Sequence, residues 1–142
     1  MDVIEKVQTI FSSNQMYAVE PNQTLEIENL SIRTVPAYNA AKTCHPQAAS
    51  WVGYVIRMDG VTYYDAGDTD ALKENESISC DVAFVPIGGT FTMDWKEASQ
   101  FVNCLHPKMV VPIHYGSIVG SKEDEVHFLK QLDSDIVSVI KL

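Results

Sequence analysis

Apolar residues recur at helical spacing at the start of the chain, at Val3, Ile4, Val7, Ile10 and Phe11, and predict an amphipathic helix over residues 2–12. Ser12-Ser13-Asn14 ends it, and the period then changes. Residues 15–19 read as a short strand and Pro21-Asn22 as a turn. Residues 24–28 and 31–35 read as two strands joined at Asn29, with Leu25, Ile27 and Ile32 alternating with polar positions as on a half-buried sheet. A loop rich in Pro, Ala and Asn covers 36–50. Residues 51–58 and 61–64 then flank Asp59-Gly60, a dipeptide that between apolar runs predicts a hairpin.

The second half has a different rhythm. Residues 65–69 leave the sheet as a loop, and 82–86 form a continuous apolar run that suits a strand buried on both faces. After Gly88-Gly89 a helix is predicted beyond Asp94. Asp94 is its cap, Glu97 is placed to return the capping-box bond, and Met93 is placed to pack on Ala98. Ala98, Phe101, Val102 and Leu105 give its buried stripe, and Pro107 stops it. Residues 109–113 form another apolar strand. Ser121 with Asp124 opens a last helix with Val126, Leu129 and Leu132 as its stripe, and 136–140 close the chain as a strand. Strand, helix, strand, helix, strand implies crossover connections and helices laid against a sheet. The expectation is an α/β domain with a mixed sheet and flanking helices.

A length of 142 residues fits one domain able to bury a core without disulfide staples. The net charge of −9 argues against nucleic acid and against anionic membrane surfaces, both of which call for clustered Lys and Arg. No apolar run approaches the about 20 residues that span a bilayer. The start of the chain resembles neither a secretory leader nor a transit peptide, and the three cysteines form no C-x-x-C pair, so a cytoplasmic protein is expected.

Three segments put a chemically capable side chain just past a strand, where α/β sheets build their sites. They are Pro36-Ala37-Tyr38-Asn39 followed by His45-Pro46, then Tyr64-Asp65-Ala66-Gly67-Asp68-Thr69, then Val111-Pro112-Ile113-His114-Tyr115-Gly116. Singly, each has a plain structural explanation. His45 reads as a hydrogen-bonding loop residue, Asp68 as a turn or cap, and His114 as a core imidazole with partners. Together and in this order, with Trp51-Val52-Gly53-Tyr54 and Pro86-Ile87-Gly88-Gly89-Thr90 between them, they resemble the later metal motifs of the metallo-β-lactamase superfamily. The branch they resemble is that of the ascorbate-6-phosphate lactonase-like hydrolases, and the resemblance runs over nearly the whole chain.

That resemblance implies the αββα-type metallo-β-lactamase fold, here its C-terminal part. It implies a metal-dependent hydrolase of small esters, lactones or phosphoesters with a divalent ion, Zn or Mn. His45 matches a ligand to one metal, Asp68 the carboxylate bridging two, and His114 a ligand to the second. Imidazole nitrogen and carboxylate oxygen suit such ions, and a pair about 3.5–4 Å apart acidifies water and polarises the group under attack. Thr69 and Tyr115 are expected to orient the ligands by hydrogen bonds. Gly88 and Gly89 are expected either to let backbone approach the site or to form a plain turn. Cys44 is a soft-ligand candidate and otherwise a small loop residue, and Asp65 is placed to move into the site or to hold its loop. His106 is expected near a helix C-terminus and His127 on a solvated face.

The family's first motif, His-x-His-x-Asp-His, does not occur in the sequence, whose first histidine is His45. The resemblance therefore implies a chain that starts just downstream of that motif and binds metal weakly or not at all alone. A homo-oligomer or a complementing N-terminal fragment is the expected partner, because half of a two-sheet core would be bare. The alternative is a non-catalytic binding or oligomerisation relic of the same fold.

Overall fold

The computed structural model describes residues 16–140, so the helix expected over 2–12 lies outside the described residues. Among them, seven strands form one sheet whose spatial order is the order of the chain. Strands β1 (Thr24–Ile27), β2 (Leu30–Pro36), β3 (Val52–Met58) and β4 (Val61–Asp65) run antiparallel in turn. Strands β5 (Val82–Pro86), β6 (Met109–Ile113) and β7 (Val137–Ser138) continue parallel to β4. Asp59 and Gly60 both take positive φ, 50° and 80°, as a two-residue turn matching the strand twist requires. Helices α1 (Trp95–Leu105) and α2 (Lys122–Gln131) make the β5–β6 and β6–β7 crossovers and pack on each other, while the β4–β5 crossover is a loop with one 3-10 turn. Neither helix is long and apolar enough to cross a membrane.

Strand alternation decides which side chains the helices cover. Val55, Tyr64, Ala83 and Val110 are cross-strand partners on one face, and they join Phe101, Val102, Leu105 and Phe128 of the helices in one core. Tyr64, Ala83, Val102, Val110 and Phe128 are fully buried, a burial of roughly 1.5–3 kcal/mol for each large side chain. The opposite row, Ile32, Ile56, Tyr63, Val82, Met109 and Val137, has no helix on it among the described residues and is half-buried to exposed.

Several expectations are corrected. Residues 16–19 form no strand; Thr34 Oγ1 donates to the Glu20 carbonyl at 2.6 Å, and Pro21 ends any ladder that could form there. Asp94 caps α1, accepting from the N–H of Lys96 at 2.9 Å and of Glu97 at 2.8 Å. Glu97 does not return the bond, because its carboxylate is drawn to the N–H of Ala71 at 3.0 Å and toward Lys42. The full capping box forms instead at Ser121 and Asp124. On α2 the buried residue is Phe128, with Leu129 and Leu132 beside it, while Val126 faces solvent; the larger apolar ring takes the core position. The last strand is only two residues long, since Ile136 turns into the core before it.

Candidate metal centre

The strand directions bring the C-terminal ends of β2, β4, β5 and β6 to one edge of the sheet. The loops leaving those ends carry His45, Asp68, Gly88 and His114. Chain segments far apart in sequence therefore meet at one rim.

Each loop is held by its own hydrogen bonds. Asp65 Oδ1 accepts from the N–H of Gly67 at 3.1 Å and closes the turn before Asp68, the loop-holding role rather than a place in the cluster. Thr69 is fully buried; its hydroxyl bonds the carbonyls of Tyr38 and Asp70 and accepts from the Tyr38 N–H. It thus ties the Asp68 loop to the His45 loop. His45 Nδ1 contacts the Phe91 carbonyl at 3.0 Å, and its ring meets Trp51 edge to face at 5.0 Å. His114 sits at the end of β6 with φ 57°, a conformation that costs a residue with a Cβ and that persists only where surroundings impose it. Gly88 is part of those surroundings. A Cβ added there would stand 2.3 Å from the His114 carbonyl oxygen, so the close backbone approach requires glycine. Gly89, with φ 80° and its N–H bonded to the Met93 carbonyl at 2.9 Å, forms the turn.

The result is a carboxylate between two imidazoles. His114 Nδ1 lies 2.7 Å from Asp68 Oδ1, and His45 Nε2 lies 3.4 Å from Asp68 Oδ2. Asp68 and His114 are about half exposed, and His45 is largely covered. Among the described residues no three His, Cys, Asp or Glu side chains close on a single ion-sized point. The reason is geometric: the imidazoles stand on different oxygens of one carboxylate and so mark two positions, each with one nitrogen and one oxygen. The donor types suit a borderline divalent ion, but each position is about one protein ligand short of the three typical of a catalytic zinc.

A cleft of about 780 Å³ opens in front of His45, Asp68 and His114, with Trp51, Tyr54 and Asp65 in its walls. A smaller hollow of about 290 Å³ lies on the other side of Asp68 and His114, walled by Phe91, Thr92, Ile118 and Val119. Tyr115 donates its phenol to Glu125 of α2. Cys44 is exposed and joins no cluster among the described residues. His106 is the left-handed cap of α1 and pairs with Asp135 at 3.0 Å and Asp133 at 3.6 Å, and His127 packs its ring on Trp95. Asn39, Lys42 and Asp70, to which sequence reasoning assigned no role, form a buried support beneath His45. Asn39 was visible only as the last letter of a motif, and no local signal couples it to a residue 31 positions away.

A family model described as a beta-lactamase superfamily domain matches residues 4–114. The chain belongs to the metallo-β-lactamase superfamily. Among its curated relatives is a UPF0173 metal-dependent hydrolase of Thermococcus onnurineus, 38% identical over 122 residues, which are 82% of this chain and 54% of the relative. A protein of the same name in Nitratidesulfovibrio vulgaris is 34% identical over 77% of this chain and 46% of its own length. The chain thus spans about half the length of the curated relatives it matches. A crystal structure from Parabacteroides distasonis, a metal-dependent hydrolase candidate, superimposes with a TM-score of 0.75 at 31% identity over 87% of this chain and 56% of that one. The Ignicoccus hospitalis metallo hydrolase Igni18 superimposes with a TM-score of 0.72 at 25% identity, over 97% and 61%. The metallo-β-lactamase fold expected from the sequence is therefore present, with both described helices on one face of the mixed sheet.

Proposed function

We propose that the chain supplies one side of a divalent-metal site in a metal-dependent hydrolase, with His45 and His114 as ligands to two ions and Asp68 bridging them. The observation that carries this reading is the Asp68 carboxylate presented to a different imidazole on each oxygen. An ion held there supplies Lewis-acid polarisation of a carbonyl or phosphoryl oxygen and acidifies water. The chain's own contribution is placement: the Phe91 carbonyl orients the His45 ring, Thr69 locks the two loops together, and Gly88 lets the His114 backbone close on β5. The cleft beside Asp68 takes a substrate of the small ester, lactone or phosphoester class, as the resemblance to ascorbate-6-phosphate lactonase-like enzymes suggests. The missing ligand at each position comes from the remaining part of the fold, the portion of the relatives' length that this chain does not span. That portion also covers the half-buried face of the sheet, whether in the same polypeptide or a separate one.

The test is metal content. Loaded with Zn or Mn and dialysed, the chain retains metal, and His114→Ala or Asp68→Asn lowers the retained amount with little change in folding. Addition of the complementing part of the fold raises affinity and hydrolysis of ester, lactone or phosphoester substrates together. Retention under ~0.1 equivalent both alone and with that part present rejects the reading, since ligation is what couples these residues to the ion. It favours the second one, a non-catalytic binding module, which the shortfall of ligands at each position already supports.

A further inference from the structure

We propose that Asn39 is a positioning residue that sets the tautomer of His45 through the Phe91 carbonyl, so that Nε2 carries the free lone pair facing Asp68. The proposal rests on the reading of His45 as a metal ligand and adds to it a residue the sequence motifs did not assign.

Asn39 is 6% exposed and makes four hydrogen bonds. Its N–H donates to the His45 carbonyl at 2.7 Å, and its Oδ1 accepts from the His45 N–H at 3.0 Å. Its Nδ2 donates to Asp70 Oδ1 and to the Phe91 carbonyl, each at 3.0 Å. These partners fix the amide orientation. A flipped amide would set its oxygen against a carboxylate and a carbonyl, and its NH₂ against an N–H donor. Asp70 is itself buried, bonded by the N–H of Ala40 at 2.9 Å and paired with the Lys42 ammonium.

The chain of consequence then runs to the ring. A carbonyl only accepts, so His45 Nδ1, at 3.0 Å from Phe91 O, carries a hydrogen. In the neutral ring Nε2 is then an unprotonated acceptor. It faces Asp68 Oδ2, another acceptor, at 3.4 Å. Two lone pairs face each other there, an arrangement that a cation between them stabilises. Without Asn39 the Phe91 carbonyl loses its clamp, and the ring is free to carry its proton on Nε2 and donate to Asp68. That form competes with the ion.

Long-range proton–nitrogen NMR correlations of the ion-free chain, at a pH where imidazole is neutral, read the tautomer directly. The expected result is the Nδ1–H form at His45. Asn39→Ala shifts it toward Nε2–H and weakens Zn binding by about 10–100-fold, the usual loss when a partner behind a ligand is removed. Asp70→Asn, which removes the carboxylate that accepts from the Asn39 amide and pairs with Lys42, loosens Asn39, acts in the same direction and replaces Asn39→Ala if that variant does not fold. Asn75→Ala removes another buried asparagine, whose Nδ2 donates to the Pro36 carbonyl at 2.9 Å; it lowers stability without moving the His45 tautomer. An Nε2–H form in the native sequence, or a tautomer unchanged in the Asn39 and Asp70 variants, overturns the proposal. An Asn39-dependent Nδ1–H form with no Zn uptake upholds the positioning and overturns only the ligand reading.

Discussion

Tyr63 and Tyr64 are consecutive, identical in chemistry, and placed on opposite faces of the same strand. Tyr64 is fully buried against Phe101 of α1, with ring centroids 6.3 Å apart, while Tyr63 lies in a shallow depression with Ile56, Met58 and Phe84. The same split runs through β5, where Ala83 and Val85 are buried and Phe84 between them is not. Along these strands the sequence is apolar on both sides, but the two helices cover one side only. The difference separates two demands that the pattern alone merges. One face is the core that holds this part of the fold together, and the other is an apolar surface suited to being covered.

The largest test of that contrast is to truncate both tyrosines. Tyr64→Ala removes a ring from the packed core and is expected to cost about 3–5 kcal/mol in denaturant unfolding. Tyr63→Ala is expected to cost less, about 1–2 kcal/mol, since its ring is only partly buried and neither described helix packs on it. A loss at Tyr63 as large as that at Tyr64 would show the second face covered in solution. Sedimentation of the same sample would then tell whether a second copy of the chain does the covering.

An intermediate effect is expected where the two faces meet, at the rim. Gly88→Ala drives a Cβ to 2.3 Å from the His114 carbonyl and 2.7 Å from Val119, so backbone must move. The expected cost is about 1–3 kcal/mol, typical of overpacking. Because the displaced residue is His114, metal retention falls by more than the stability loss explains. Gly60→Ala is the control: open space surrounds its Cβ, and its positive φ of 80° makes the change cost stability at a turn away from His114, so metal retention is unchanged.

Much of this was readable from local chemistry. The Asp59-Gly60 turn, the Asp94 cap, the Ser121–Asp124 box and the apolar runs of β5 and β6 are signals that a few neighbouring residues carry by themselves. The segments bearing His45, Asp68 and His114 were legible as motifs, and the strand directions bring them to one rim. What escaped reading depends on contacts between distant segments. Glu97 had a local partner at Asp94 and is bonded to Ala71 instead. Val126 fitted the helical period as well as Phe128 did, and only the shape of the core under α2 chooses between them. Asn39 and Asp70 carry ordinary loop letters, and their bond exists only once β2 and β4 end at the same edge of the sheet, on either side of β3. The one-sided burial of β5 was invisible for a related reason: an apolar run states that cover is tolerated, not that it is present.

The smallest effect concerns the cysteines, and it sharpens the same contrast from the covered side. Cys80 leads into β5 and packs against the helix-covered core, whereas Cys44 and Cys104 are exposed. Burial, and then the neighbouring Asp81 carboxylate, push the Cys80 thiol up to about 11. A thiol whose folded value lies above its unfolded one near 9.0 keeps its proton while the unfolded chain loses one, so its contribution to stability fades as pH rises from about 9 to about 11. Below that window the contribution is constant. At mildly alkaline pH a disulfide reagent is therefore expected to label Cys44 and Cys104 rapidly and Cys80 only slowly, the thiolate being the reactive form. Replacing Cys80 with Ala leaves the two fast equivalents intact and flattens the alkaline fall in stability. Rapid labelling of all three would mean that the core beneath α1 and α2 opens more readily than its packing implies.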